Sequence, residues 1–213
     1  MPVEALVAVI VATTGMLVAL ALVIRRARVR VPPGGALVIY AGGREPTVTF
    51  SDATVIPLLA RAEPVDLSAR MITIAREGRD ALRCADDIKV DIRAQARLAV
   101  NPTAEDVVRV TRAVGARAAD PALLHELFEA KIADAIATTV RMLSFDELCR
   151  DRELLRDRSL EVVGCDLGGW VLQELAFVRI EQVPLELLDP TNIHDAEAIR
   201  RIRERLAAAA RER

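Results

Sequence analysis

Aromatic residues make up only 3% of the 213-residue chain: four phenylalanines, Tyr40 and Trp170. A surface that reads nucleic acid needs stacking platforms or a strongly positive balance. Here 29 lysines and arginines face 31 aspartates and glutamates, a net charge of −2, so nucleic acid is excluded as a partner. Histidine is scarcer still. His125 and His194 are the only two, and neither stands in an HExxH or HxH pattern or beside a cysteine pair, so no metal centre is indicated. The three cysteines, Cys84, Cys149 and Cys165, lie far apart without a CxxC, and their odd number argues against a disulfide framework. Buried apolar thiols are the expectation for them.

Signatures of catalysis are missing as well. No GxSxG is present, and Gly34-Gly35, Gly42-Gly43 and Gly168-Gly169 lack the Lys and Ser/Thr that follow a phosphate loop, so turns explain them and no cofactor is implied. The adjacent carboxylates Asp86 and Asp87 read as a solvated turn rather than an acid–base pair. A hydrolase would need Ser68, Ser144 or Cys165 to meet His125 or His194 in space. The sequence therefore gives an enzyme little support.

What the chain does have is a long hydrophobic run. Ala5 to Ile24 is twenty consecutive residues without a charge, including Ala5, Leu6, Val7, Ile10, Leu17, Leu20, Leu22 and Ile24. At about 1.5 Å per residue a helix of that length spans roughly 30 Å, the thickness of one bilayer core. Acidic Glu4 precedes it and Arg25, Arg26, Arg28 and Arg30 follow, which is the reverse of a secretory signal peptide and predicts an uncleaved anchor. Residues 1–30 thus carry +3, and the remainder, 25 basic against 30 acidic residues, carries −5. The positive-inside rule then places the N-terminus outside and residues 25–213 in the cytoplasm, with the arginines against anionic head groups. Pro2 excludes N-myristoylation, which needs glycine after the initiator.

Beyond the anchor, Pro32-Pro33-Gly34-Gly35 breaks helical periodicity, and Ala36–Tyr40 and Thr47–Phe50 read as short strands. From Ile88 to Leu98 apolar residues alternate strictly with polar ones, the mark of a half-buried antiparallel strand. Val65, Leu67, Ala69 and Met71 alternate in the same way, which predicts a second long strand. Helical signals follow. Thr103-x-x-Asp106 opens a helix bearing Val107, Val110 and Val114, and Asp120-Pro121 opens a longer one. Ser144-x-x-Glu147 opens a third with Leu148, Leu155 and Val162. Trp170–Val183 reads as a further strand. After Asp189-Pro190, Ile199, Ile202, Leu206 and Ala209 recur with 3-4-3 spacing, so Ile199, Ile202 and Leu206 are the candidate self-association residues of about two heptads. The arginines around them read as a solvated face.

Several segments resemble bacterial flotillins of the SPFH (stomatin/prohibitin/flotillin, Band 7) superfamily. Arg30-Val31-Pro32-Pro33-Gly34-Gly35-Ala36-Leu37-Val38-Ile39-Tyr40 resembles the start of the membrane-proximal module, and Arg83-Cys84-Ala85-Asp86-Asp87-Ile88-Lys89-Val90-Asp91-Ile92 its central strand. Leu127-Phe128-Glu129-Ala130-Lys131 resembles the family's long helix. Gln182, Pro184 and Leu188-Asp189-Pro190-x-Asn192-Ile193-x-Asp195-Ala196, leading to Ile199-Arg200, resemble the junction into its coiled coil. The resemblance implies an α+β architecture: an anchor over 1–30, a β-rich SPFH1 module over 31–100, an α+β SPFH2 module over 101–190, and a shortened coiled-coil helix over 191–213. It further implies a non-enzymatic scaffold on membrane lipids that assembles with itself or with a longer flotillin partner. An NfeD-like membrane protein or a membrane protease is the implied protein partner. The alternative is an adaptor that regulates a membrane protease or transporter without forming large assemblies.

Overall fold

The computed structural model describes residues 13–18, 28–56, 59–164 and 166–211. The chain divides into two compact units, each discontinuous in sequence: the described residues up to Ser68 with Val100–Ala118, and Ala69–Ala99 with Ala119–Arg213. The architecture is α+β, as the sequence predicts.

In the first unit, residues 13–18 are helical with exposed side chains. Strand β1 (Arg28–Val29) pairs antiparallel with β4 (Ala53–Thr54), and β2 (Gly35–Ala41) is the central strand of a three-stranded antiparallel sheet between β3 (Thr47–Thr49) and β5 (Ala60–Asp66). Ala36, Leu37, Val38 and Val65 are completely buried there. Gly35 is a place only glycine fits comfortably. A Cβ would stand 3.1 Å from the Val65 carbonyl and 3.1 Å from Pro32 Cγ, while Gly34 beside it adopts φ +76°, the left-handed region. Pro32-Pro33-Gly34-Gly35 is thus a tight turn that seats β2, closed by the Gly35 N–H on the Pro32 carbonyl at 3.0 Å.

Helix α1 (Ala104–Val114) packs on β2 and β3, and a 3-10 turn at Gly115–Arg117 follows it. Its cap is the predicted one: the Asp106 N–H donates to Thr103 Oγ1 at 3.2 Å. Its inward stripe is Val107, Val110 and Thr111, with Val114 only half-buried. Thr111 is tolerated because its hydroxyl donates to the Val107 carbonyl at 2.6 Å, which removes the cost of burying an unpaired donor.

In the second unit, β8 (Lys89–Val100) is the organising strand. It pairs antiparallel with β6 (Arg70–Arg76) from Ile92 to Leu98 and with β7 (Leu82–Arg83) at Lys89 and Val90, and β9 (Trp170–Gln182) also pairs with it. Helix α2 (Pro121–Met142), capped by Asp120 with Pro121 in its first turn, packs against β6, β7 and α4 (Arg152–Val163). A short helix α3 (Phe145–Arg150) precedes α4, and α5 (Ile193–Arg211) ends the described chain.

Two expectations need correction. The predicted strand across Val65–Met71 is two strands, because the Ser68 N–H turns back onto Asp66 Oδ1 at 2.8 Å and ends β5 before β6 begins. Alternation continued through the break, so periodicity alone did not reveal it. The third predicted helix is likewise two. Asp151 ends α3 and its carboxylate caps α4, accepting the Leu154 N–H at 2.9 Å. The inward residues of α4 are Leu155, Ser159 and Val163, and Val162 is exposed. Ser159 hid this stripe from a hydropathy reading, since its hydroxyl is satisfied locally by the Leu155 carbonyl at 2.7 Å.

Candidate functional site

The predicted anchor residues Ala5, Leu6, Val7, Ile10, Leu20, Leu22 and Ile24, with Arg25 and Arg26, lie outside the described residues; Leu17 is exposed on the helical segment. Among the described residues no helix is long and apolar enough to cross a membrane. Arg28 enters β1 and Arg30 is exposed just after it. The chain leaving this basic flank is held at once: Arg28 and Val29 stand opposite Thr54 and Ala53, and the Val31 N–H donates to Asp52 Oδ1 at 3.1 Å.

A polar constellation of the second unit lies at the start of α5. Asp189 Oδ1 accepts the Thr191 N–H at 2.8 Å and its hydroxyl at 2.6 Å, which turns the chain after Leu188. Asn192 Oδ1 then accepts the His194 N–H at 3.0 Å and caps the helix. These two local turns deliver Asp195 into a buried position, 2% exposed. Its Oδ1 accepts from Arg83 at 2.7 Å, and its Oδ2 accepts from Lys89 Nζ at 2.9 Å and from the Asp189 N–H at 3.2 Å. Burial pushes this carboxyl up, yet the Lys89 and Arg83 hydrogen bonds outweigh it and hold the pKa down to about 2. Asp195 is therefore a permanent anion at neutral pH, shared by the two strands of the β7–β8 hairpin.

The turn of that hairpin receives the rest of the helix. Asp87 adopts φ 65°, a backbone conformation that Asp tolerates better than most residues. Asp86, next to it, accepts the Phe145 N–H at the start of α3 and the Arg205 guanidinium at 3.1 Å. The Arg201 guanidinium donates to the Asp86 carbonyl at 3.0 Å, and Arg205 also reaches Asp146 at 3.2 Å. Beneath these contacts Ile88, Val183, Leu188, Ala198 and Ile202 form one buried cluster, with Ile199 packed against it. Ile202 is 4% exposed and Leu206 is 60% exposed. The arginines at 201 and 205, expected on a solvated face, remain partly exposed and in addition bind a specific turn.

The arrangement offers no obvious chemistry. Ser144 is occupied as a cap, its hydroxyl donating to Glu147 Oε2 at 2.7 Å, and His125 is exposed. The ring of exposed His194 stands 3.6 Å from Asp87. Burial first, and the Asp86 charge second, push the Cys84 thiol well up, so it stays protonated and unreactive; Cys149 is exposed, and Cys165 lies outside the described residues. Elsewhere in the unit the long helix is fixed by Phe128, whose ring meets Trp170 edge to face at 5.4 Å, by Glu129 on Arg76 at 2.6 Å, and by Lys131 donating to the Asp166 carbonyl at 3.1 Å.

Pairings across more than a hundred residues, such as Asp195 with Arg83, leave little trace in sequence. The available signal was an aspartate at Asp195 on the same stripe as Ala198 and Ile202: an acid on an apolar face announces a buried partner.

A β-rich unit entered directly from a basic flank, and an α+β unit whose last helix is fastened to a β-hairpin, are the parts the flotillin resemblance leads one to expect. Residues 29–213 match the SPFH domain / Band 7 family, so the chain belongs to that family. It is 26% identical over 190 residues to the flotillin family inner membrane protein YqiK of Escherichia coli (strain K12), an alignment covering 88% of this chain and 33% of that protein. The chain thus spans about a third of the length of that relative. Membership supports a membrane-associated, scaffold-type role.

Proposed function

We propose that this chain is a non-enzymatic, membrane-anchored scaffold. In this reading Ala5–Ile24 crosses the cell membrane once with the N-terminus outside, Arg25, Arg26, Arg28 and Arg30 rest on anionic head groups, and both units stand on the cytoplasmic side. Copies associate side by side, or with a longer flotillin partner, and gather lipids and membrane proteins into a microdomain. An NfeD-like membrane protein or a membrane protease is the class of protein it would hold. Within the heptad stripe Ile199, Ile202 and Leu206, self-association falls to the exposed Leu206 end.

The observation that carries this reading is one of order along the chain. The family match begins at residue 29, within the arginine flank that follows a charge-free run of bilayer length. That YqiK is an inner membrane protein points the same way.

The test is the particle mass and shape of the full-length protein extracted in mild detergent or native nanodiscs, by mass photometry with negative-stain imaging. Large closed assemblies are expected. Monomers or small oligomers would overturn the scaffold in favour of an adaptor for a membrane protease or transporter. The burial of Ile202 in the chain's own core is what favours that second reading, since it removes one heptad position from any seam between copies.

A further inference from the structure

We infer that the free edge of β9 beside α4 is a peptide-docking groove, in which an extended segment bearing acidic side chains adds to the sheet as one more strand. The inference stands on the second unit alone and goes beyond the scaffold reading, since it requires neither the anchor nor the association of copies.

Three observations carry it. The first is an open edge. One side of β9 lies on β8, and among the described residues no strand lies on its other side. With 13 residues β9 is longer than the roughly three to ten usual for a strand, and it contains neither of the residues, proline and lysine, that commonly blunt an edge. Such an edge presents a row of unpaired N–H and C=O groups. What satisfies both kinds of group at the strand repeat of about 3.3 Å is another extended backbone.

The second is a cleft along that edge. On α4, Arg152, Arg156 and Leu160 recur every four residues beside the buried stripe of Leu155, Ser159 and Val163. Together with Gln173–Phe177 of β9 they line a cleft of about 340 Å³, a volume in the range of ligand sites. The helical row is about 12 Å long and the strand segment about 17 Å, so the cleft takes about four or five residues of extended chain. Leu160, Ala176 and Phe177 are half-buried there and give alternate side chains of that chain an apolar seat.

The third is charge. The cleft is lined by Arg152, Arg156, Glu153 and Glu174, and geometry removes the two acids. Glu174 pairs at 3.5 Å with Arg97, which is exposed on the face of β8 opposite buried Ala96 and Leu98, so this carboxylate turns away from the helices. Glu153 is exposed one step farther round α4, on the rim. Arg152 has no ion-pair partner among the described residues, and Arg156 holds its neighbour Asp157 at 3.1 Å in a partly exposed pair of little strength. Two guanidinium groups are thus left to receive carboxylates from a docked segment.

The experiment titrates the full-length chain, dispersed in mild detergent, with three fluorescein-labelled peptides. One is four repeats of Glu-Val and one is four repeats of Arg-Val. The third is the Glu-Val peptide N-methylated at two adjacent central residues, which keeps its charge and blocks an N–H on each of its edges. The Glu-Val peptide is expected to bind with a Kd of about 10–100 µM, at least about tenfold tighter than the Arg-Val peptide, and to slow amide exchange across Val171–Val178. Methylation should weaken binding by about tenfold or more, and so should Arg152→Glu combined with Arg156→Glu, whose denaturation midpoint should match the parent's because both side chains are solvent-accessible. Absence of saturable Glu-Val binding, equal binding of the Arg-Val or methylated peptide, or equal binding by the charge-reversed chain would overturn the groove. Binding to the dispersed chain but not to assembled particles in native nanodiscs would put a second copy on this edge and would overturn it as well.

Discussion

The two halves of α5 carry one apolar stripe, yet they stand in opposite situations. From Asp195 to Ile202 the helix is fastened: Asp195, Ala198 and Ile202 are buried, and Arg201 reaches back to the Asp86 turn. Beyond Ile202 the described side chains are exposed, Leu206 among them, with Arg205 alone returning to Asp86 and Asp146. A heptad pattern cannot express this difference, because 3-4-3 spacing says which residues share a face but not what that face meets. The inner half fixes the helix to its own unit, and the outer half leaves its apolar edge exposed.

The division can be broken most strongly at Ile202. Replacing it by alanine leaves a hole in the cluster of Ile88, Val183, Leu188 and Ala198, at an expected cost of about 3 kcal/mol, read as a lowered denaturation midpoint of the solubilised full-length chain. Asp195→Ala should cost slightly less, about 2 kcal/mol, because it strands Arg83 and Lys89, which keep a little solvent. Its readout is faster proteolysis between Asp189 and Arg211.

Acid provides a graded version of the same break. The folded pKa of Asp195, about 2, lies below the usual carboxylate value near 3.9, so its stabilisation is fully present above about pH 4 and is lost as pH falls toward 2. Fastening of the helix should therefore be unchanged between pH 5 and 8 and weaken progressively below pH 4. The smallest effect on stability belongs to Leu206→Ser, within about 0.5 kcal/mol, because that side chain is already exposed. The same substitution should lower the particle mass if the outer half joins copies. Unchanged mass would limit α5 to intramolecular work.

What was legible in the sequence follows from how local each signal is. The alternation of β8 and the caps at Thr103, Asp120 and Ser144 depend on neighbours within four residues, and all four stand as read. The breaks at Ser68 and Asp151 were hidden because a side chain turning onto nearby backbone leaves hydropathy unchanged. The fastening of α5 was hidden for another reason. Its partners are brought together by the β7–β8 hairpin, and Asp86-Asp87, dismissed as a solvated turn, is the turn that receives Arg205 and Arg201. Family resemblance singles out Leu188-Asp189-Pro190-x-Asn192-Ile193-x-Asp195, and the structure supplies its physical content: two side-chain turns and one buried carboxylate paired with both Arg83 and Lys89.

The most direct test of this division is hydrogen exchange followed along α5 in the dispersed full-length chain, with and without Asp195→Ala. Glu197–Ile202 should exchange at least about tenfold more slowly than Arg203–Arg211 in the parent, and the contrast should collapse in the variant. Equal exchange along the whole helix in the parent, or a contrast that survives the loss of Asp195, would contradict the claim that Asp195 and its two cations fasten the inner half.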